Sequence, residues 1–174
     1  MIAEILALSL AQAAPATAAT PPTPPPAPPK CEGANHEAFD FWVGDWDVFP
    51  AGGDAKVADS RIEKVSAGCA IRETWMPLQG RWGSSLSAYD PKDGAWHQLW
   101  VGGVAGRVFF DGGPSDGKMV LTGYWGKDQQ GNPSLVRMTY SVQDDGSVRQ
   151  HGQASSDHGQ TWSDSFDLYY RRKE

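Results

Sequence analysis

The sequence predicts an all-β fold: a single antiparallel up-and-down β-barrel of about 8–10 strands behind a short N-terminal helical plug. Three observations carry this. No helix-length window after residue 44 repeats its apolar residues at the 3.6-residue period. Short alternating segments recur instead, and tight Gly-containing turns separate them. Sequential hairpins of this kind form a meander, and closing a meander on itself removes its exposed edges.

The chain has 174 residues with 20 Gly, 13 Pro and 8 Trp, and its formal net charge is −6. An acidic chain without a basic excess excludes nucleic acid or anionic lipid as a partner held by the overall field. The first 35 residues differ from the rest. Residues 2–13, IAEILALSLAQA, form a short apolar stretch, and Ala-Thr-Ala follows at 16–18. That stretch falls short of the roughly 20 residues that span a bilayer, so no transmembrane segment is expected. Residues 1–18 are expected to be a signal peptide, although no Lys or Arg precedes the apolar run. Residues 19–35 contain TPPTPPPAPP and are expected to form a stiff polyproline II tether. The folded domain then covers 36–174, a length that excludes a multi-bladed propeller or an α/β barrel. An exported chain with two cysteines and no metal-ligand spacing is expected to join Cys31 to Cys69, pinning the domain's start to its sheet. The expected location is periplasmic or secreted.

Candidate strands are 44–49, 56–64, 68–77, 82–90, 95–101, 106–111, 117–124, 134–142, 147–154 and 162–171. Asp93-Gly94, Asp116-Gly117, Asp145-Gly146 and the Asp157 to Gly159 loop supply the positive φ that short hairpins need. Asp111 to Asp116 reads as one solvated turn. Phe39, Phe41 and Trp42 lie too close together for one strand and suit a helical turn that plugs one barrel end. Gly44-Asp45-Trp46 then opens the first strand, with Trp46 on one face and Asp45 and Asp47 on the other.

A short helix followed by Gly-x-Trp on strand one resembles the calycin superfamily, which includes lipocalins, fatty-acid-binding proteins and nitrobindin-like barrels. The resemblance implies a cavity barrel in which a late Arg lies across the Trp, a role that falls to Arg171 or Arg172, with Arg171 preferred. The whole domain also resembles a family of exported bacterial proteins without an assigned activity. The stretches that carry this likeness are Phe39–Val48, Gly68–Trp75, Tyr89–Trp100 and Ser155–Trp162. Nitrobindin-like barrels bind haem through a His, but alternation places His97 and His151 on outer faces.

Ser155-x-Asp157-x-Gly159-x-Thr161-Trp162 matches the Asp-box of propeller hairpins. Its Ser and Asp side chains bond the turn's backbone, its Gly takes positive φ and its Trp packs beneath. It is expected to clip the last hairpin rather than to mark chemistry. No Gly-x-Ser-x-Gly elbow, HExxH, phosphate loop or calcium loop occurs, so no catalytic, metal or cofactor motif is expected.

Alternation gives one hint of a site. Glu73 and Trp75 share one face, as do Trp96, Gln98 and Trp100; Gln150 shares a face with Val148, and Arg137 with Leu135. If those faces point inward, Glu73, Gln98, Arg137 and Gln150, walled by Trp75 and Trp100, line a polar-ended pocket for a small organic ligand. Arg137 is then the expected charge partner of Glu73. The expected function is binding without covalent chemistry. The alternatives are a small barrel enzyme using Glu73 with Arg137, and a filled barrel that serves as an envelope interaction module. Trp82 and Trp125 receive no role.

Overall fold

The computed structural model describes residues 30–174, so the expected signal peptide and most of the expected tether lie outside the described residues. A four-residue helix, α1 (Ala34–Glu37), and a 3-10 turn (Asp40–Trp42) precede ten strands. These are β1 (Gly44–Pro50), β2 (Ala58–Val65), β3 (Ala70–Pro77), β4 (Gly83–Asp90) and β5 (Ala95–Val101), followed by β6 (Val108–Ser115), β7 (Lys118–Lys127), β8 (Pro133–Val142), β9 (Val148–Ser155) and β10 (Ser163–Arg172). Each strand pairs antiparallel with its sequence neighbours, and β1 pairs with β10, so the barrel is closed. No helix among the described residues is long and apolar enough to cross a membrane.

An even number of up-and-down strands puts alternate connections at opposite ends. At one end lie the chain's entry into β1 and the tight turns after β2, β4, β6 and β8. Asp116 and Gly117 both take positive φ, 50° and 73°, as a two-residue hairpin requires. The expected turn over Asp111–Asp116 is corrected: β6 runs on to Ser115, and only Asp116-Gly117 turns. Gly112 permits this, because a Cβ there would collide with the Val120 carbonyl of the paired strand.

The helical plug fills the same end. Phe39 and Trp42 are fully buried and stack with ring centres 4.9 Å apart. Phe39 meets Trp96 and Tyr140 edge-on, at 5.8 and 4.9 Å. The Trp96 indole N–H donates to the Asn35 carbonyl, so this inward-facing Trp seals the plug rather than the cavity. The Trp46 indole N–H donates to the Trp42 carbonyl at 2.9 Å. Arg172, not Arg171, lies across Trp46, with its guanidinium carbon 4.5 Å from the ring centre. Register explains the correction: Arg172 stands opposite Trp46, whereas Arg171 stands opposite Asp47 on the outer face and stacks on Phe49. Gly44 leaves room for this, since a Cβ would stand 2.6 Å from Arg172 Nη1.

A disulfide joins Cys31 to Cys69 with Cα atoms 4.9 Å apart. It ties the segment before α1 to the β2–β3 connection, where Ser66, Ala67 and Gly68 all take positive φ. The loop it closes spans 38 residues, worth about 4 kcal/mol in the chain-entropy account. A Cys31→Ser, Cys69→Ser double variant is therefore expected to keep its barrel and lose about 4 kcal/mol in urea denaturation. A loss below about 1 kcal/mol would show that the plug holds its place without the covalent tie.

Candidate functional site

Opposite the plug, the barrel interior stays open as a cavity of about 170 Å³. The alternation of each strand decides what faces it. Its floor is polar and buried: Glu73 on β3, Gln98 on β5, Tyr140 on β8, Gln150 on β9 and Tyr170 on β10. Its walls are apolar. Phe110 and Met138 are buried, and Trp75, Trp100, Phe166 and Leu168 are half-buried toward the open end. Trp125 is 39% exposed yet packs on Trp100, Phe110 and Phe166, with ring centres 6.1–6.4 Å away, and so caps one side of the mouth.

Two glycines make space for these rings. A Cβ at Gly83 would collide with Trp100, and one at Gly152 with Phe166. A bulge in β10 between Asp164 and Phe166 shifts the register and sets Phe166, Leu168 and Tyr170 in phase with the inner face. On β7, Trp125 keeps the inward parity of Met119 and Leu121, and a second register shift between Tyr124 and Lys127 falls where Gly126 takes positive φ.

Of the residues expected to line a pocket, Glu73, Trp75, Gln98, Trp100 and Gln150 meet in this cavity. Arg137 does not, and this is a correction. On β8 the inward residues are Val136, Met138 and Tyr140. Arg137 therefore points outward, donates to Gln153 at 2.7 Å and lies 4.1 Å from the Trp162 ring centre.

Glu73 accordingly has only uncharged partners. Ser60 on β2 donates to its Oε1 at 3.0 Å and Ser85 on β4 to its Oε2 at 3.2 Å. The Tyr170 hydroxyl donates to Gln150 Oε1 at 2.7 Å, and Gln150 Nε2 donates to the Tyr140 hydroxyl at 2.9 Å. Gln98 Nε2 donates to Ser87 at 3.0 Å. Burial pushes the Glu73 carboxyl up from 4.5 to about 7, against the pull of the hydrogen bonds from Ser60 and Ser85 and of the nearby Tyr170 hydroxyl. Burial, and then the Glu73 charge, hold the Tyr140 and Tyr170 phenols above their ordinary range.

The Asp-box forms its clip between β9 and β10. Ser155 Oγ donates to Asp157 Oδ1 at 2.7 Å and accepts from the Gly159 N–H at 2.8 Å. The Thr161 N–H and hydroxyl both donate to Asp157, at 2.9 and 2.6 Å, and hold its carboxyl well below the usual range. The Trp162 indole N–H donates to the Gly159 carbonyl. The histidines considered for haem lie outside: His97 bridges Asp93 and Asp111, and His151 meets Asp164. Sequence reasoning missed Trp125, Phe110, Met138, Tyr140, Phe166, Leu168 and Tyr170 as cavity residues. Parity with Leu121 would have found Trp125, and parity with Val136 would have found Met138 and Tyr140.

The raised Glu73 carboxyl fixes the sign of a pH effect on stability. Between about 4.5 and about 7 the unfolded chain has released this proton while the folded chain keeps it, so stability falls as pH rises through that window. Below the window Glu73 costs nothing, and above it the cost is about 3 kcal/mol. Glu73→Gln is therefore expected to stabilise the fold at pH 8 by up to about 3 kcal/mol and to be near neutral at pH 4, as read by denaturant midpoints. Equal effects at both pH values would contradict a buried, uncompensated carboxyl.

Comparison with known protein families finds no matching family model, and comparison with curated proteins finds no matching relative.

Proposed function

We propose that this chain is an exported barrel that binds a small, partly apolar organic molecule in its lumen without covalent chemistry. The observation that carries the reading is the cavity itself. It has about 170 Å³ of free space, aromatic walls that reach solvent at one end, and a cluster of buried polar groups at the other. Small-molecule sites are built this way, mostly apolar with a few converging polar groups that fix orientation. An apolar cavity of roughly 150 Å³ holds one benzene molecule, so the ligand is about one ring in size. The closed ten-strand barrel, the entry helix and the Arg172–Trp46 stack support likeness to calycin barrels. The disulfide and the apolar leader support a periplasmic or secreted location. Chemistry by Glu73 with Arg137 loses its basis, because the two sit on opposite sides of the wall.

One observation favours a second role, as an interaction module. Leu86, Phe109 and Tyr124 are exposed on the outer face, and Leu86 and Phe109 both stand opposite Leu99 in the ladder. Such a contiguous apolar strip fits a partner surface.

The binding reading is tested by native mass spectrometry of the protein purified from its own cells, together with titration by single-ring probes followed through tryptophan fluorescence. Retained small-molecule mass and saturable binding are expected, and Leu168→Trp, which fills the mouth, is expected to abolish both. A wild-type protein without adducts or saturable binding would contradict a ligand cavity and leave the interaction role.

A further inference from the structure

Resting on the cavity reading, the charge pattern of the lumen narrows the ligand class. Glu73 is 5% exposed, and the oxygens of its carboxyl receive hydrogen bonds only from neutral hydroxyls. No Lys, Arg or His is among the residues that line the cavity. The groups that face Glu73 are Ser60 from β2, Ser85 from β4, Tyr140 from β8 and Tyr170 from β10, and among the described residues the two phenols are the only other titratable side chains that line the lumen. A site built for an anion would offer cationic donors, whereas this one offers a like charge. A site built for a bare hydrocarbon would gain nothing from a carboxyl, and burying one unpaired is costly. A carboxylate can accept about four hydrogen bonds, so two serine donors leave capacity for a ligand donor. The walls add the second part of the match. Trp75, Trp100, Trp125 and Phe166 line the open end with aromatic surface that can pack against an apolar body.

We propose that the cavity takes a small protonated amine, about one ring in size, whose ammonium group pairs with Glu73 while its apolar body lies among the tryptophans. The ligand then supplies the positive charge that the fold withholds, and ligand entry neutralises the lumen's one carboxyl. Binding of such a cation requires Glu73 to be ionised, so affinity rises with pH as the carboxyl loses its proton. A neutral ligand of the same shape displaces water from the carboxyl and favours its protonated form, so its affinity falls over the same interval.

The experiment is calorimetric titration of the intact protein with benzylamine, benzyl alcohol, toluene and benzoate at pH 6 and pH 8. Benzylamine is expected to bind at least tenfold tighter than benzyl alcohol at pH 8. With the Glu73 midpoint at about 7, its affinity is expected to drop about tenfold at pH 6. Glu73→Gln is expected to remove the amine preference and the pH dependence while keeping the neutral probes. Should that variant fail to fold, the wild-type pH dependence alone decides the matter. Binding of benzyl alcohol and toluene with no advantage for benzylamine at pH 8, or a preference for benzoate, overturns the amine proposal and leaves the binding barrel standing. Failure of all four probes to bind overturns both.

Discussion

A ring of ten antiparallel strands encloses a fixed volume, and the fill of that volume governs this molecule. Eight strands give a lumen that side chains just fill or that holds one small ligand, and ten widen it. The chain fills one end with Phe39, Trp42, Trp46, Trp96 and Tyr140, whose rings pack at or near contact with the plug. Among the described residues no second plug fills the other end. The cavity is thus what remains when strand number exceeds the supply of filling side chains, and glycines at 83 and 152 let Trp100 and Phe166 shape what is left.

Closure also makes the polar floor possible. The Glu73 partners come from β2 and β4, and Tyr170 lies near it on β10, which pairs with β9 and closes the barrel through the β1–β10 ladder. Loss of that ladder would expose the carboxyl to water and return it toward its ordinary range. The Trp46–Arg172 stack and the pairing of Trp46 with Arg172 sit on this seam, so Gly-x-Trp at the chain's entry holds together the wall that buries Glu73. The Cys31–Cys69 tie anchors the plug to β3, the strand that carries Glu73.

The fold was legible because its strands alternate cleanly and its turns carry Asp-Gly pairs at the positions that need positive φ. The inward set on β3, β5 and β9 followed from parity with apolar residues on the same face, Ile71 and Trp75, Trp96 and Trp100, and Val148, which carry the polar Glu73, Gln98 and Gln150 inward with them. On β8 one residue misled: Val136, Met138 and Tyr140 face inward and Arg137, Thr139 and Ser141 outward, but Leu135 puts an apolar residue on the outer face, and taking it as inward carries Arg137 with it. Leu135 is apolar and outward because it packs against the Asp-box hairpin, so Arg137 beside it also lies outside, on Trp162. Phe166 was hidden for another reason: a register shift on β10 places it, and a bulge changes parity without leaving a strong mark in the sequence. Trp125 keeps the parity of Leu121 and was missed because the expected strand ends at residue 124, one short of it. The preference for Arg171 over Arg172 was an error of one residue at a strand end, which flips a side chain to the opposite face.

The account turns on one group, a carboxyl enclosed by the closed barrel, facing free space and lacking a cationic partner. The most direct measurement is its own titration, by carbon-detected NMR of the Glu73 side-chain carboxyl in the folded protein without added ligand. The structure predicts a midpoint at about 7. A midpoint near 4.5, the value of a solvated glutamate, would show that water or a cation reaches Glu73 and would contradict the account.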